Sequence, residues 1–318
     1  MATNDPYCRV CGAATIELGQ KQSVYSQRCY AIRHCVTCRF SFVANPWTEF
    51  ERIYSAEYYA GRGADRSVDY LFELEHPRET VRTYEWAGIL EAVGSLVQVQ
   101  PTTRWLDFGC GNGGLVRYVR EHANCQIVGF DQGWIRDTAA AAGIPYLDKA
   151  ELDAHRESFD IVTGIEVLEH IIDPLEALRQ VRSLLKTGGL FFFTTGNAQP
   201  YRQRLLSWPY LLPDIHVSFF EPQTMARALR RTGFEPEFRG FSAGFSDIIR
   251  FKVLKDLRLR RRSIFERMLP WPLLARVVDA SRAVTAHPIG WAAPSASDDA
   301  SAAAARVQPD TGGDILQA

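Results

Sequence analysis

A glycine-rich turn between an apolar segment and a helical pattern constrains the fold of this chain more than any other feature. The segment Leu106–Gly114 has the sequence LDFGCGNGG. Glycines let a backbone approach a ligand closely, and the first turn of the following helix offers unpaired N–H groups. Gly109, Gly111 and Gly114 satisfy the dinucleotide fingerprint G-x-G-x-x-G, whereas Gly109, Gly111 and Gly113 satisfy G-x-G-x-G. The turn therefore predicts a nucleotide-type ligand, with a purely structural glycine turn as the alternative.

The pattern around this turn predicts a parallel α/β sheet. Short apolar runs alternate with helical segments, and such alternation is typical of βαβ units with right-handed crossovers. The predicted strands are Trp105–Phe108, Ile127–Phe130, Pro145–Leu147, Ile161–Ile165, Leu190–Thr194 and Glu237–Gly240, and the predicted helices are Leu115–Glu121, Trp134–Ala142, Leu175–Leu185 and Gln223–Arg231.

Two acidic residues at strand ends favour one nucleotide ligand over another. Asp107 lies two residues before the first glycine of the turn, where a carboxylate would repel a pyrophosphate but attract an ammonium or sulfonium group. S-adenosylmethionine carries both of these cations. Asp131 ends the strand IVGFD, 24 residues after Asp107, and a carboxylate there can accept both ribose hydroxyls. The alternative for Asp131 is an ordinary strand-end or helix-cap residue.

Four motifs in order resemble those of the class I S-adenosylmethionine-dependent methyltransferases. They are LDFGCGNGG, IVGFD, FDIVTGIEVLEHIIDP and LLKTGGLFFFTT. The chain is most similar to the branch that includes the ubiquinone-biosynthesis O-methyltransferases, and HVSFFEPQTMARALRRTGF also resembles that branch. The resemblance covers about residues 50–240. It implies a Rossmann-like seven-stranded sheet of order 3-2-1-4-5-7-6, with strand 7 antiparallel.

The resemblance also implies which residues bind the cofactor. Asp107, Gly109, Gly111 and Gly113 would surround the methionine end, and Asp131 would bind the ribose. The resemblance further implies that Gln132 flanks the adenine, Asp148 contacts the adenine amine and Glu166 lies beside the sulfonium.

Two cysteine pairs near the N-terminus predict a structural zinc site. Cys8, Cys11, Cys35 and Cys38 form two C-x-x-C pairs with 23 residues between them, a spacing typical of tetrahedral zinc sites. Four protein ligands leave no open position for catalysis. This segment resembles the zinc-binding module found ahead of some sugar C-methyltransferases and secondary-metabolism enzymes. The other three cysteines, Cys29, Cys110 and Cys125, are not predicted to be ligands.

Methyl transfer to a hydroxyl or a carbon acid needs a general base, and two histidines are candidates. His170 in LEHIIDP and His216 in DIHVSFF lie where the resemblance implies the acceptor pocket. For His170 the alternative is a structural role behind the strand-4 loop. Tyr58 and Tyr59 are candidates for an N-terminal lid over the cofactor.

Composition bears on which partners the protein binds and on its location in the cell. The chain has 318 residues with 36 basic and 37 acidic side chains, so the whole-chain charge gives no support for nucleic-acid binding. No apolar run reaches about 18 residues, and the first ten residues lack the features of a secretory signal. We therefore expect a cytoplasmic protein with reduced thiols.

We expect four regions: a zinc-binding ribbon at 1–45, a helical lid or linker at 46–100, the methyltransferase core at 101–244 and a C-terminal region at 245–318. The last region combines a helical insertion, a flexible Ala/Ser-rich loop and a possible final strand. The insertion's amphipathic part, Val253–Val278, would lie near the acceptor pocket or form a dimer or membrane-surface contact.

The last strand of the sheet is expected in the C-terminal region. Ile315 and Leu316, in the segment Asp314–Ala318, are predicted to return to the sheet as its seventh strand.

Three functions agree with these features. The first is a methyltransferase acting on a small-molecule acceptor, by O- or C-methylation in biosynthetic or secondary metabolism. The second is an RNA methyltransferase that uses the zinc ribbon and the segment 250–262, which has seven basic residues and one acidic residue. The third is a non-catalytic S-adenosylmethionine-binding protein.

Overall fold

The structure is a computed structural model, and it describes residues 6–67, 69–238, 243–280 and 289–294. The strands in this part of the chain are β1 (Ile16–Gln22), β2 (Cys29–His34), β3 (Ser41–Val43), β4 (Arg104–Phe108), β5 (Gln126–Phe130), β6 (Tyr146–Leu147), β7 (Phe159–Ile165), β8 (Leu185–Thr194), β9 (Ser218–Phe219), β10 (Phe234–Phe238) and β11 (Ile289–Pro294). The α-helices are α1 (Phe50–Ile53), α2 (Tyr70–Glu75), α3 (Arg82–Leu96), α4 (Gly114–His122), α5 (Ile135–Ala141), α6 (Lys149–Ala154), α7 (Pro174–Leu184), α8 (Pro222–Arg231), α9 (Phe245–Asp256), α10 (Ile264–Arg267) and α11 (Trp271–Ala280).

Seven strands form the larger sheet, in the order β10-β11-β8-β7-β4-β5-β6. The strands β4 to β8 pair in parallel, whereas β11 pairs antiparallel with both of its neighbours. Strand β8 contains Phe191, Phe192 and Phe193, all at most 1% exposed. Consecutive buried residues are expected in a parallel sheet whose two faces are both covered by helices. The predicted α/β class and Rossmann-like architecture are confirmed.

The strand between β8 and β10 differs from the prediction. Ile315 and Leu316 lie outside the described residues, and Ile289–Pro294 occupies that position instead. The prediction for this position was therefore wrong. The run IGWAAP has no apolar–polar alternation and ends in proline. Its strand conformation follows from the open hydrogen-bonding edges of β8 and β10, which local sequence does not reveal.

The C-terminal region begins with a helix that packs against the sheet's helical layer. Phe245, Ile248 and Ile249 of α9 share a buried cluster with Trp86 and Ile89 of α3. Farther along, the amphipathic segment Val253–Val278 includes buried residues such as Trp271 as well as large exposed apolar side chains, including Met268 and Leu273. A dimer or membrane contact of this segment stays a prediction. Within the described residues, no helix is long and apolar enough to cross a bilayer.

The N-terminal module forms a second sheet that is joined to the core. Its order is β1-β2-β3-β9, and β9 belongs to the segment that follows the larger sheet's β8. Phe40 and Phe42 of the module lie in one buried cluster with Phe220 and Met225 of the core. The module therefore shares a hydrophobic core with the rest of the protein.

Candidate functional site

The glycine turn has a backbone conformation that only glycine adopts readily. Gly109, Gly111 and Gly113 have φ values of 74°, 54° and 69°. A Cβ on Gly109 would lie 2.5 Å from Cγ2 of Val167, so close packing also excludes a side chain there. The turn follows β4, which has β5 on one side and β7 on the other, and ligands of α/β sheets bind at this change of strand order.

Asp107 is a buried acid at the end of β4. It is 3% exposed and accepts a hydrogen bond of 2.8 Å from the Thr163 hydroxyl. Burial raises the pKa of this carboxyl group to about 7. A ligand cation at this position would favour the carboxylate, so Asp107 is suited to an ammonium or sulfonium group.

Asp131 supports the turn from the neighbouring strand. Its carboxylate accepts hydrogen bonds from the backbone N–H groups of Gly111 at 2.9 Å and Gly133 at 2.6 Å. Burial raises the pKa of Asp131. A carboxylate has about four acceptor positions, so Asp131 retains capacity for further donors.

Aromatic side chains cover this side of the turn. Tyr58 and Tyr59 lie in the helical turn Tyr58–Arg62, and the Tyr59 ring centroid is 5.6 Å from that of Tyr70 and 6.2 Å from that of Trp134. The aromatic layer thus lies over the glycine turn and the end of β5, where the two tyrosines were predicted to form a lid.

Asp148 has a structural role in addition to its adenine contact, which stays a prediction. It is exposed, and its side chain accepts the Glu151 N–H at 2.7 Å while the Glu151 side chain accepts the Asp148 N–H at 2.8 Å. This reciprocal pair is a capping box at the start of α6. Because β6 ends one residue earlier, the chain uses this aspartate to begin a helix, and the structure gives no support for an adenine contact.

One cavity of about 1180 Å³ connects the glycine turn to the candidate base residues. Six of the predicted site residues line it: Asp107, Gly109, Gly111, Glu166, His170 and His216. The other predicted binding residues do not line it: Gly113, Asp131, Gln132 and Asp148. The structure therefore brings the methionine side of the predicted cofactor site and both histidines to one shared cavity.

His216 is a buried, neutral imidazole whose tautomer can be assigned. It is 5% exposed, and its Nδ1 lies 2.6 Å from the Tyr210 carbonyl oxygen. A carbonyl oxygen only accepts, so Nδ1 carries the proton and Nε2 keeps its lone pair. Burial lowers the pKa of His216 to about 4, which keeps the ring neutral at pH 7.

His170 packs against His216 with a ring-centroid distance of 4.9 Å. Its Nδ1 lies 2.9 Å from the Tyr54 hydroxyl, and burial lowers the pKa of His170 to about 3. The two candidates are therefore direct neighbours, although they are far apart in sequence.

Glu169 is a site residue that the sequence analysis missed. It is 1% exposed, and its carboxylate accepts hydrogen bonds from the hydroxyl groups of Thr195 at 2.7 Å and Tyr210 at 2.5 Å. Burial, followed by the charge of Glu166, raises the pKa of Glu169 to about 8. Ligand atoms of Glu169, His170 and His216 all lie within 4.8 Å of one another, so this group could hold a divalent cation. Glu169 could have been found from the sequence, because it lies next to His170 and three residues after Glu166, both of which were candidates.

Lys252 is a second missed residue, supplied by α9. It is 3% exposed, and its Nζ lies 3.1 Å from Glu166 Oε1 and 3.2 Å from Glu85 Oε1. Glu166 itself has a φ of 54°, an uncommon conformation for a non-glycine residue. Ion pairs between distant segments have no local sequence signal, so this contact was not predictable.

The four cysteines of the N-terminal pairs converge as a zinc site requires. The Sγ atoms of Cys8, Cys11, Cys35 and Cys38 all lie within 4.8 Å of one another, and the closest pairs are 3.4 Å apart. Zinc–sulfur bonds of about 2.3 Å in a tetrahedron place the sulfurs about 3.8 Å apart, so this set fits a zinc ion. The remaining cysteines are not part of the cluster.

The hairpin between β1 and β2 anchors the loop that carries His216. The hydroxyls of Tyr30 and Ser26 donate to Asp214 at 2.7 and 2.5 Å, and Ser23 donates to the same carboxylate. Asp214 is two residues before His216, so the cysteine module helps to position the part of the cavity that His216 lines.

Solved structures of methyltransferases are similar to this chain at low sequence identity. The S-adenosylmethionine-dependent methyltransferase of Mesorhizobium loti is 21% identical, with 66% of this chain and 97% of that chain covered and a TM-score of 0.45. Phosphoethanolamine N-methyltransferase 2 of Haemonchus contortus, in complex with S-adenosyl-L-methionine, is 15% identical, with 80% and 61% covered and a TM-score of 0.47.

Curated relatives are more similar in sequence. The ubiquinone biosynthesis O-methyltransferase of Ralstonia nicotianae is 32% identical over 43% of this chain and 65% of its own length. The corresponding enzyme of Bordetella pertussis is 29% identical over 50% of this chain and 72% of its own length. In addition, residues 58–237 match the family described as a methyltransferase domain. Because this match covers more than half of the chain and carries the glycine turn with its strand-end acids, the protein belongs to the class I S-adenosylmethionine-dependent methyltransferases.

Proposed function

We propose that this protein transfers a methyl group from S-adenosylmethionine to a small-molecule acceptor, with His216 as the general base. The observation that carries the proposal is the cavity that both the glycine turn and His216 line, together with the unprotonated Nε2 of His216. The cavity volume of about 1180 Å³ exceeds the 300–1,000 Å³ usual for one small ligand, so a cofactor and an acceptor can share it.

The cofactor side of the proposal assigns one role to each group. Asp107 binds the ammonium of the methionine end, and the glycine turn allows the ligand to approach the backbone. Asp131 is proposed to bind the ribose and Gln132 to flank the adenine, after movement of the aromatic layer that includes Tyr59.

The acceptor side requires a base and a fixed direction of attack. When bound, S-adenosylmethionine supplies an electrophilic methyl group bonded to a sulfonium. His216 Nε2 accepts the acceptor's proton while the acceptor oxygen or carbon bonds to that methyl, and the carbon–sulfur electron pair remains on sulfur. The protein's contribution is to hold these atoms in line and exclude water. The printed names of the relatives favour O-methylation over C-methylation.

Zinc in the four-cysteine cluster is proposed to be structural, since four thiolates fill a tetrahedral site. The proposal also includes a cytoplasmic location, because all seven cysteines are without disulfide partners, as expected in a reducing compartment.

The RNA methyltransferase alternative loses its main support. Arg250 pairs with Glu266, Lys252 with Glu166 and Glu85, and Arg260 with Asp69. Lys255 also pairs with Asp65, so four of the seven basic side chains in segment 250–262 have an acidic partner within 3.5 Å.

The test compares two histidine variants in binding and turnover. Calorimetry with S-adenosylhomocysteine measures the cofactor site, and an acceptor screen with S-adenosylhomocysteine release as readout measures the reaction. We expect His216→Gln to lower kcat by at least about 100-fold, the usual contribution of a general base, with cofactor affinity within about twofold. His122→Gln, at an exposed position on α4, should change neither quantity. Undiminished turnover in His216→Gln would refute the base assignment, and an absence of S-adenosylhomocysteine binding would refute the function.

A further inference from the structure

Two exposed arginine side chains that line the cavity have no acidic partner among the residues that the structure describes. Arg66 and Arg258 both line the cavity, and both are exposed. Among the residues that the structure describes, neither guanidinium forms an ion pair with a carboxylate. They differ in this respect from Arg250, Lys252 and Arg260 of the same basic segment.

The two arginines come from segments that are fastened together. Arg260 pairs with Asp69 at 3.1 Å, and its Nη2 donates to the Arg66 carbonyl oxygen at 2.7 Å. Lys255 lies 3.5 Å from Asp65, the residue before Arg66. These contacts fix the turn after α9 against the segment 65–69, and they bring Arg66 and Arg258 to the same part of the cavity.

The backbone at Arg258 adds a second observation. Its φ is 59°, in the left-handed region where helix ends favour glycine or asparagine. The turn is closed by the Arg258 N–H, which donates to Lys255 at 2.8 Å, and the Leu259 N–H, which donates to Leu254 at 2.9 Å. Arg258 therefore adopts a backbone conformation that is unfavourable for a residue with a long side chain. It also lines the cavity.

Acidic and basic side chains both line the cavity, and they include Asp65 and Asp256, which are close in sequence to Arg66 and Arg258. The cavity's buried carboxyl groups lie at the inner part: Asp107 is 3% exposed and Glu169 is 1% exposed. Lys252, a buried cation that lines the cavity, is already paired with Glu166 and Glu85, whereas the exposed guanidiniums of Arg66 and Arg258 offer planar, paired donors.

We propose that Arg66 and Arg258 bind a phosphate or diphosphate group of the methyl acceptor, whose reacting atom lies at the inner end beside His216. This inference rests on the proposed methyltransferase function and adds the substrate class. Two guanidiniums match the charge of one phosphate or diphosphate group. A nucleic-acid backbone would require more cationic contacts, since binding proteins commonly neutralise about 6–10 phosphates.

The experiment uses the full-length protein saturated with S-adenosylhomocysteine and titrates it with inorganic pyrophosphate by calorimetry. We expect saturable binding that weakens with added salt. Arg66→Gln and Arg258→Gln should each weaken it by at least fivefold. Arg261→Gln is the matched control, because Arg261 lies in the same basic segment but does not line the cavity, and it should stay within twofold of the wild type.

Other outcomes would overturn the inference. These are a lack of saturable pyrophosphate binding to the S-adenosylhomocysteine complex, or equal binding by both variants. Weaker S-adenosylhomocysteine binding in Arg66→Gln would assign that guanidinium to the cofactor instead. A further arm uses phosphatidylglycerol vesicles: binding that Arg258→Gln abolishes, without pyrophosphate binding, would identify a lipid surface as the source of phosphate and would also refute the acceptor assignment. If the wild type does not bind S-adenosylhomocysteine, the proposed function fails first.

Discussion

The two halves of the cavity are built by different means. On the cofactor side, the backbone of residues 107–114 forms the surface, and its shape depends on glycines at left-handed φ values. On the acceptor side, side chains from distant segments meet, including Glu169, His216 and Lys252. The first surface is encoded in a short contiguous sequence, whereas the second exists only after the chain has folded. This difference explains why the glycine turn could be predicted from local sequence, whereas the contacts of Glu169 and Lys252 could not.

The largest effect should come from adding one methyl group to the cofactor half. Gly109→Ala places Cβ 2.5 Å from Val167 at a φ of 74°, whereas Gly143→Ala has a similar φ of 84° with no atom within 4 Å. Both variants should lose about 1–2 kcal/mol of stability from the left-handed conformation. We expect a further loss of about 2.8 kcal/mol in S-adenosylhomocysteine binding for Gly109→Ala alone, which corresponds to about 100-fold. Calorimetry on both variants gives the comparison, and equal affinities would show that the turn is not the cofactor surface.

The next effect tests the acceptor half through the cysteine module. Cys38→Ser should remove a zinc ligand, lower Tm and release the hairpin that anchors Asp214, because metal-binding energy in such modules is folding energy. We expect acceptor turnover to fall by about tenfold or more, with a smaller change in S-adenosylhomocysteine affinity. Elemental analysis should find one zinc per wild-type chain.

Cys29→Ser is the control for this prediction. Cys29 is exposed and lies outside the cluster, so zinc content, Tm and turnover should match the wild type. Wild-type protein that is folded and active without zinc would separate the module from the acceptor half.

The smallest effect is a pH dependence on the cofactor side. The pKa of Asp107 is raised to about 7, so the carboxyl group loses its proton between pH 6 and 8 and then attracts the ligand's ammonium. S-adenosylmethionine affinity should rise by about fivefold over this range, since one unit of pKa shift is worth about tenfold. Asp107→Asn should bind more weakly and with little change over the same range.

The Asp107 carboxyl group should also make the stability of the ligand-free protein depend on pH. This change has the opposite sign to the change in cofactor affinity. The carboxyl group's folded pKa of about 7 exceeds the ordinary value of 3.8, so the folded state retains a proton that the unfolded state has lost. Stability should therefore decrease as pH rises from about 4 to 7, and Asp107→Asn should remove this dependence. Thermal unfolding at several pH values measures it, and parallel curves for both proteins would contradict the assignment.

Features that depend on local sequence patterns could be predicted, whereas features that depend on contacts between distant segments could not. The glycine turn, the strand before it and the helix predicted at Leu175–Leu185, observed at Pro174–Leu184, all depend on local patterns. The strand Ile289–Pro294 depends on edges supplied by β8 and β10, and it was missed. The adenine contact of Asp148 stays a prediction, because an acid after a strand suits both a ligand and the helix cap that is observed.

The pairing of β3 with β9 has a consequence for the order of folding. Ser41 lies opposite Phe219, so the small sheet cannot be completed until a segment far along the chain has been synthesised. Contacts between distant residues form slowly because the chain entropy of a long loop must be lost first. Until then the N-terminal ribbon has only the pairing of its own three strands and its cysteine cluster. The ribbon and the catalytic core must consequently mature together, and a transplanted ribbon would lack its fourth strand.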